Sequence, residues 1–260
     1  MNQKQRIDYL IKYMLDEDER YSHIEIPQDE EDKKHLLRGL FNIRYASNAS
    51  DEFIKIQDEY LQNETKIKGI VDSSDFVHTK QNEKIYIWQG DITRLKIDAI
   101  VNAANSQMLG CFEPNHSCID NIIHTMAGIK LRFECDEIMK KQNHSEKTGN
   151  AKITKAYNLP SEYVIHTVGP IIHGDLTEED EKLLESCYKS CLEVASKNNV
   201  KSIAFCCIST GVFRFPQKRA SEIAVNTVSK FLENDKNIQK VVFNVYLDKD
   251  KELYDNLLNK

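Results

Sequence analysis

Apolar and polar positions fall into two textures along the chain. Over roughly the first seventy residues the apolar positions recur at helical spacing, and no β-rich run interrupts them. Ile7, Leu10, Ile11, Met14 and Leu15 share one helix face, and Phe53, Ile56, Tyr60 and Leu61 share another. Between them, Asp29-Glu30-Glu31-Asp32 follows Pro27 and reads as a solvated helix start rather than a binding tail. Residues 68–81, with a glycine and two serines, read as the link to the remainder of the chain.

From Lys84 the texture changes. Short β-rich runs at 85–88, 99–101, 163–167, 203–208 and 241–247 alternate with helical stripes. Leu183, Leu184, Cys187, Tyr188, Cys191, Leu192 and Ala195 form one stripe; Ala220, Ile223, Ala224, Thr227, Val228 and Phe231 form another. Alternating strands and helices with nearly continuous apolar strands predict an α/β fold whose sheet is covered on both faces. Ligands of such folds sit at the C-terminal ends of strands, in the loops that enter helices.

Composition narrows the function. The 260 residues suffice for one large domain with an extension, or for two modest ones. A net charge of −6 argues against a nucleic-acid partner, which calls for a basic face. No apolar run approaches the roughly 20 residues that span a bilayer, so no membrane partner is expected. The start of the chain has no secretory pattern, and a cytoplasmic location is expected. Seven cysteines, an odd number without an export signal, suit reduced thiols with some held by metal.

Three loops carry candidate chemistry. Gly90-Asp91-Ile92-Thr93 follows the first strand; it places an acceptor for an amine at a strand end, or serves only as a turn. The second leaves the 99–101 strand as Asn102-Ala103-Ala104-Asn105 and continues through Cys111, His116 and Cys118. Two thiols and an imidazole within eight residues, around Gly110 and Pro114, suit zinc. Three ligands match a catalytic site with one open position; a structural site would be completed by Cys135, Cys206, Cys207 or Asp120, and a loop that holds no metal is the remaining reading. A helix then follows, marked by Ile119, Ile122, Ile123, Met126 and Ala127, and its His124 reads as a packed core residue. The third loop reads Ser209, Thr210, Gly211, Val212, Phe213, Arg214, Phe215, Pro216, with small residues that bring backbone N–H groups close to an anion at a helix start. It lacks the lysine and spacing of a triphosphate-binding loop. Cys187 and Cys191 read as core thiols, Cys206 and Cys207 as residues of a buried strand, and Trp88 as a packing residue.

Taken together, GDIT, DAIVNAAN, LGCFEPNHSCIDNIIHTMAG, KTGNAKITKAYNLPSEYVIHTVGP and STGVFRFP resemble the macrodomain family, specifically its zinc-containing bacterial branch. Cys111 and Cys118 bound a segment where ordinary macrodomains carry glycines, and Arg214 stands where many have a small residue. The resemblance implies a three-layer macrodomain with a mixed central sheet flanked by helices over residues 74–260, preceded by a small helical extension over 1–73. It implies that Asp91 and the Ile92 backbone hold adenine, that Ser209, Thr210, Gly211, Val212 and Phe213 wrap the diphosphate, and that the helix start at Cys118, Ile119 and Asp120 assists. Asn105 is expected at the distal ribose, Asp120 to orient or deprotonate water, and Tyr246 to stack on adenine. One zinc ion is expected on Cys111, His116 and Cys118.

The implied activity is hydrolysis of mono-ADP-ribose from modified protein side chains. A sirtuin-type transferase and a lipoylated carrier protein are the implied associates. A reader module that binds ADP-ribose without cleaving it is the alternative, and a phosphatase acting on ADP-ribose phosphate is a further one.

Overall fold

The computed structural model describes residues 1–21 and 23–260. Three helices open the chain: α1 (Gln3–Asp16), α2 (Glu30–Ile43) and α3 (Asp51–Lys68). Each starts at a side chain that accepts from a first-turn N–H: Asn2, Asp29 and Ser50. Asp29 is thus the cap of α2, and the acidic run is the helix start the sequence suggests. The two apolar stripes meet in a core of their own, with Leu10, Ile11 and Phe53 fully buried.

Beyond α3, β1 (Val71–Asp72) pairs in parallel with β3 (Leu95–Lys96). The main sheet is built from β2 (Ile85–Gln89), β4 (Ala99–Ala104), β5 (Ala151–Lys155), β6 (Tyr163–Val168), β7 (Ser202–Phe205) and β8 (Lys240–Val245). Their order is β2-β8-β7-β4-β6-β5, with every pair parallel except β5 against β6. The sheet is therefore mixed. The helices α4 (Ile119–Ala127), α5 (Ile129–Gln142), α6 (Glu178–Lys197), α7 (Gln217–Asn234) and α8 (Asp248–Leu258) flank it. Burial on both faces explains why β4, β6, β7 and β8 read as almost unbroken apolar runs. Among the described residues no helix is long and apolar enough to cross a membrane.

Three strands end more than one residue away from the sequence reading. β4 runs on to Ala104, so Asn102 belongs to the strand, paired in register with His166 of β6. β7 stops at Phe205, so Cys206 and Cys207 lie beyond it; Cys206 and Ile208 stay buried as the chain turns, and hydrophobicity does not mark the strand's end. β8 stops at Val245, leaving Tyr246 and Leu247 exposed before α8. Cys187 and Cys191 are fully buried on α6, and Trp88 packs against Phe76, as read from the sequence.

Candidate active site and metal-ligating loop

Because β2, β8, β7 and β4 are neighbours and run parallel, the loops leaving them open on one edge of the sheet. Three strand spacings separate the loop after β2 from that after β4, a span of about 14 Å. At the first position Asp91 caps a short turn: its Oδ1 accepts from the Thr93 backbone N–H at 3.0 Å and from the Thr93 hydroxyl at 2.6 Å. The turn reading of Gly90-Asp91 is thereby real, and Ile92 beside it is buried.

The loop after β7 is shaped by its own backbone. Ser209 and Arg214 take left-handed conformations, the Phe215 N–H donates to Ser209 O at 2.9 Å, and the Arg214 N–H donates to Gly211 O at 3.0 Å. The N–H groups of Gly211, Val212 and Phe213 meet no acceptor among the described residues. Such free donors in a curled loop make a concavity for an anion. The start of α4 offers more of the same: the cap is Cys118, whose Sγ accepts from the Asn121 N–H, and the N–H groups of Ile119 and Asp120 are left without acceptors inside the helix.

Cys111, His116 and Cys118 come together, with their ligand atoms all within 4.8 Å of one another. Cys111 Sγ lies 3.7 Å from His116 Nδ1, close to the separation of about 3.6 Å that ordinary zinc–sulfur and zinc–nitrogen bonds give in a tetrahedron. Burial pushes the Cys118 thiol up to about 12, and a cation in the site would favour its thiolate. The donor set therefore fits a thiophilic tetrahedral ion. Cys135 does not complete it: that thiol sits in a second buried group with His124 and His166.

The second group is a hydrogen-bonded one. Asn102 Nδ2 donates to Asp120 Oδ1 at 2.7 Å and faces His166 Nδ1 at 3.2 Å. The carboxylate demands the amide's donor end, so His166 Nδ1 carries the lone pair and Nε2 the proton. That proton points to Thr154 Oγ1, 2.9 Å away, and leaves Nε2 no lone pair for a metal. Burial keeps both rings neutral, lowering His166 to about 3 and His124 well below its ordinary value. Among the described residues neither ring nitrogen of His124 has a hydrogen-bond partner, and its Nε2 lies 3.6 Å from Asp120 Oδ1.

Asp120 is the pivot of this network. Burial raises its carboxyl to about 6, against the opposing pull of the Asn102 hydrogen bond and the Arg132 charge. Asn105 Nδ2 donates to Asp120 Oδ2 at 3.3 Å and to Gly110 O at 3.0 Å, while its Oδ1 accepts from the N–H groups of Gln107 and Met108. All its polar atoms are thus engaged within the loop, the bond to Asp120 being the longest. Gly110 has φ 80°, and a Cβ there would lie 2.7 Å from His124 Cγ. Gly110→Ala is expected to cost about 2–4 kcal/mol of stability through left-handed strain and overpacking, read as a lower urea midpoint.

Sequence reasoning missed Asn102, His166, Arg132, Asn121, Arg38 and Asn42, all of which touch this loop or Asp120's network. Asn102 alone carried a signal, as the first polar residue of an otherwise apolar strand. A separate cavity of about 210 Å³ lies within the helical extension. Its charged lining pairs internally, Glu17 with Arg44 and Asp18 with Arg20, and none of the residues of the three loops lines it.

Residues 101–224 match the Macro domain family. A protein-ADP-ribose hydrolase of Treponema medium is 53% identical over 261 aligned positions, covering 100% of both chains. One from Staphylococcus aureus (strain MSSA476) is 48% identical over 258 positions, covering 99% of this chain and 96% of its own. Among solved structures, a Trypanosoma brucei macrodomain in complex with ADP-ribose aligns with a TM-score of 0.66 at 29% identity, covering 85% of this chain and 94% of that one.

Proposed function

Because the chain belongs to the macrodomain family, we propose that it is a zinc-dependent hydrolase that removes mono-ADP-ribose from modified protein side chains. The observation that carries the metal half of this reading is the cluster of Cys111, His116 and Cys118 at the start of α4, two residues from buried Asp120. The hydrolase half agrees with the relatives' shared activity.

ADP-ribose lies along the sheet edge in this reading. Asp91 and the Ile92 N–H take adenine, and the free N–H groups of Gly211, Val212 and Phe213 take the diphosphate. Ser209 and Thr210 shape that loop, and Cys118, Ile119 and Asp120 close it from the α4 side. The distal ribose then reaches Asn105, whose 3.3 Å bond to Asp120 is the one a ribose hydroxyl replaces.

In the reaction, water attacks C1 of the distal ribose as the bond from C1 to the side-chain heteroatom breaks. The electron pair leaves with the side chain, positive charge builds on the sugar, and free ADP-ribose results. Asp120, held by Asn102, orients the water and accepts its proton. Zinc on Cys111, His116 and Cys118, with one position open, would supply Lewis acidity toward an oxygen, that of water or of a ribose hydroxyl.

The branch resemblance points to a lipoylated carrier protein modified by a sirtuin-type transferase as the substrate. Seven free cysteines suit the reducing cytoplasm as the place of work. The test is release of free ADP-ribose, followed by mass, from a mono-ADP-ribosylated protein. Release is expected with the zinc-loaded chain, to stop after chelation and to return on adding zinc. Undiminished release after complete metal removal overturns the zinc requirement, and tight binding with no release overturns the hydrolase.

A further inference from the structure

The helical extension reaches into the metal-ligating loop. Arg38 of α2 donates through Nη2 to His116 O at 2.7 Å and to Asn121 Oδ1 at 3.0 Å. Asn121 in turn donates to Glu113 O at 2.9 Å and faces Cys111 O at 3.5 Å, so one guanidinium steadies both ends of the loop. One turn further along α2, buried Asn42 accepts from the Asn115 N–H at 2.9 Å and donates to Thr125 Oγ1 on α4 at 2.9 Å. Asn115 itself takes a left-handed conformation, which this bond helps to hold.

Between them lies Gly39. A Cβ there would come within 3.1 Å of Asn115 Nδ2 and 3.8 Å of Pro114 Cβ. The helix thus presents a flat spot on which the loop rests. Arg132 completes the clamp from α5: its Nε donates to Leu109 O at 2.7 Å, its Nη1 donates to the carbonyls of Phe41 and Arg44, and its guanidinium lies over the Phe112 ring.

We propose that α2 is part of the metal site, with Arg38 and Asn42 as positioning residues that hold Cys111, His116 and Cys118 in ligating geometry. The inference rests on the zinc reading of this chain. Neither residue touches the ion. Each fixes backbone on either side of His116, and an unpinned loop must order itself each time it takes up metal.

The test uses the full chain and measures zinc affinity by competition with a chromophoric chelator, independent of turnover. Arg38→Ala and Asn42→Ala are each expected to weaken zinc binding about 10–100-fold, as loss of outer partners does at metal sites. Arg38→Lys keeps one donor for His116 O and is expected to fall between Arg38→Ala and wild type. Arg6→Ala, which breaks the Arg6–Glu59 pair inside the extension, is expected to leave zinc affinity unchanged and so separates loop support from general loosening. If Arg38→Ala fails to fold, Arg38→Lys and Asn42→Ala carry the test. Wild-type affinity in both overturns the proposal while leaving the zinc reading intact. A wild-type chain that binds no zinc overturns both.

Discussion

Cys111→Ala is expected to lose its zinc and to release ADP-ribose about 100–1,000-fold more slowly, the rate equivalent of several kcal/mol of Lewis-acid stabilisation. Cys111 is only half-buried; the change removes its Sγ contact with His116 but leaves its carbonyl, which accepts from Asn121, untouched. The variant should therefore fold normally. Its affinity for free ADP-ribose should stay within a few-fold of wild type, because the adenine position and the N–H groups of the loop after β7 lie outside the metal-ligating loop. Zinc content and single-turnover release, measured on the same sample, decide the matter. Loss of zinc with turnover intact sinks the catalytic-metal reading.

Asp120→Asn is the second large effect. Removing the base is expected to slow release about 10²–10⁴-fold. Stability should move little, for two opposing reasons. The buried carboxyl, raised to about 6, disfavours its charge, and the neutral amide relieves that cost. Against this, Asn102 and Asn105 both donate to the carboxylate, and the amide keeps only one acceptor for two donors. Thermal unfolding near that of wild type, alongside a collapsed rate, is the expected pair of results. A rate unchanged within a few-fold would show that Asp120 only supports the loop.

Much of the fold was legible because the chain's apolar stripes coincide with its buried faces: the α1 and α3 cores, β6, and the faces of α6 and α7 all follow the periodicity. Two elements left little trace. β5 is an edge strand with lysines at two of its five positions and only Thr154 buried, so it carries little apolar signal. α5 buries only Leu131, Arg132 and Cys135, too few to mark a stripe. The site was legible where chemistry is local in sequence, as between Cys111 and Cys118 or in the curl after β7. Its supports were not, because they arrive from afar. Arg38 meets His116 across 78 residues, and a lone arginine on an amphipathic helix announces nothing about the loop it will hold. Asn105 carries a further lesson: its motif suggests a place at the ribose, while its hydrogen bonds show it as the organiser of its own loop.

The sulfur of Cys118 serves two masters. It caps α4, whose first N–H groups would face the proposed diphosphate position, and it belongs to the trio that could hold a metal. Fixing that sulfur by either binding event fixes the other's surroundings. By linkage, whatever factor zinc adds to the affinity for ADP-ribose, ADP-ribose must add to the affinity for zinc. Where that factor exceeds one, the metal would be held more firmly with the sugar nucleotide in place, by the same few-fold at most, and would exchange faster between turnovers.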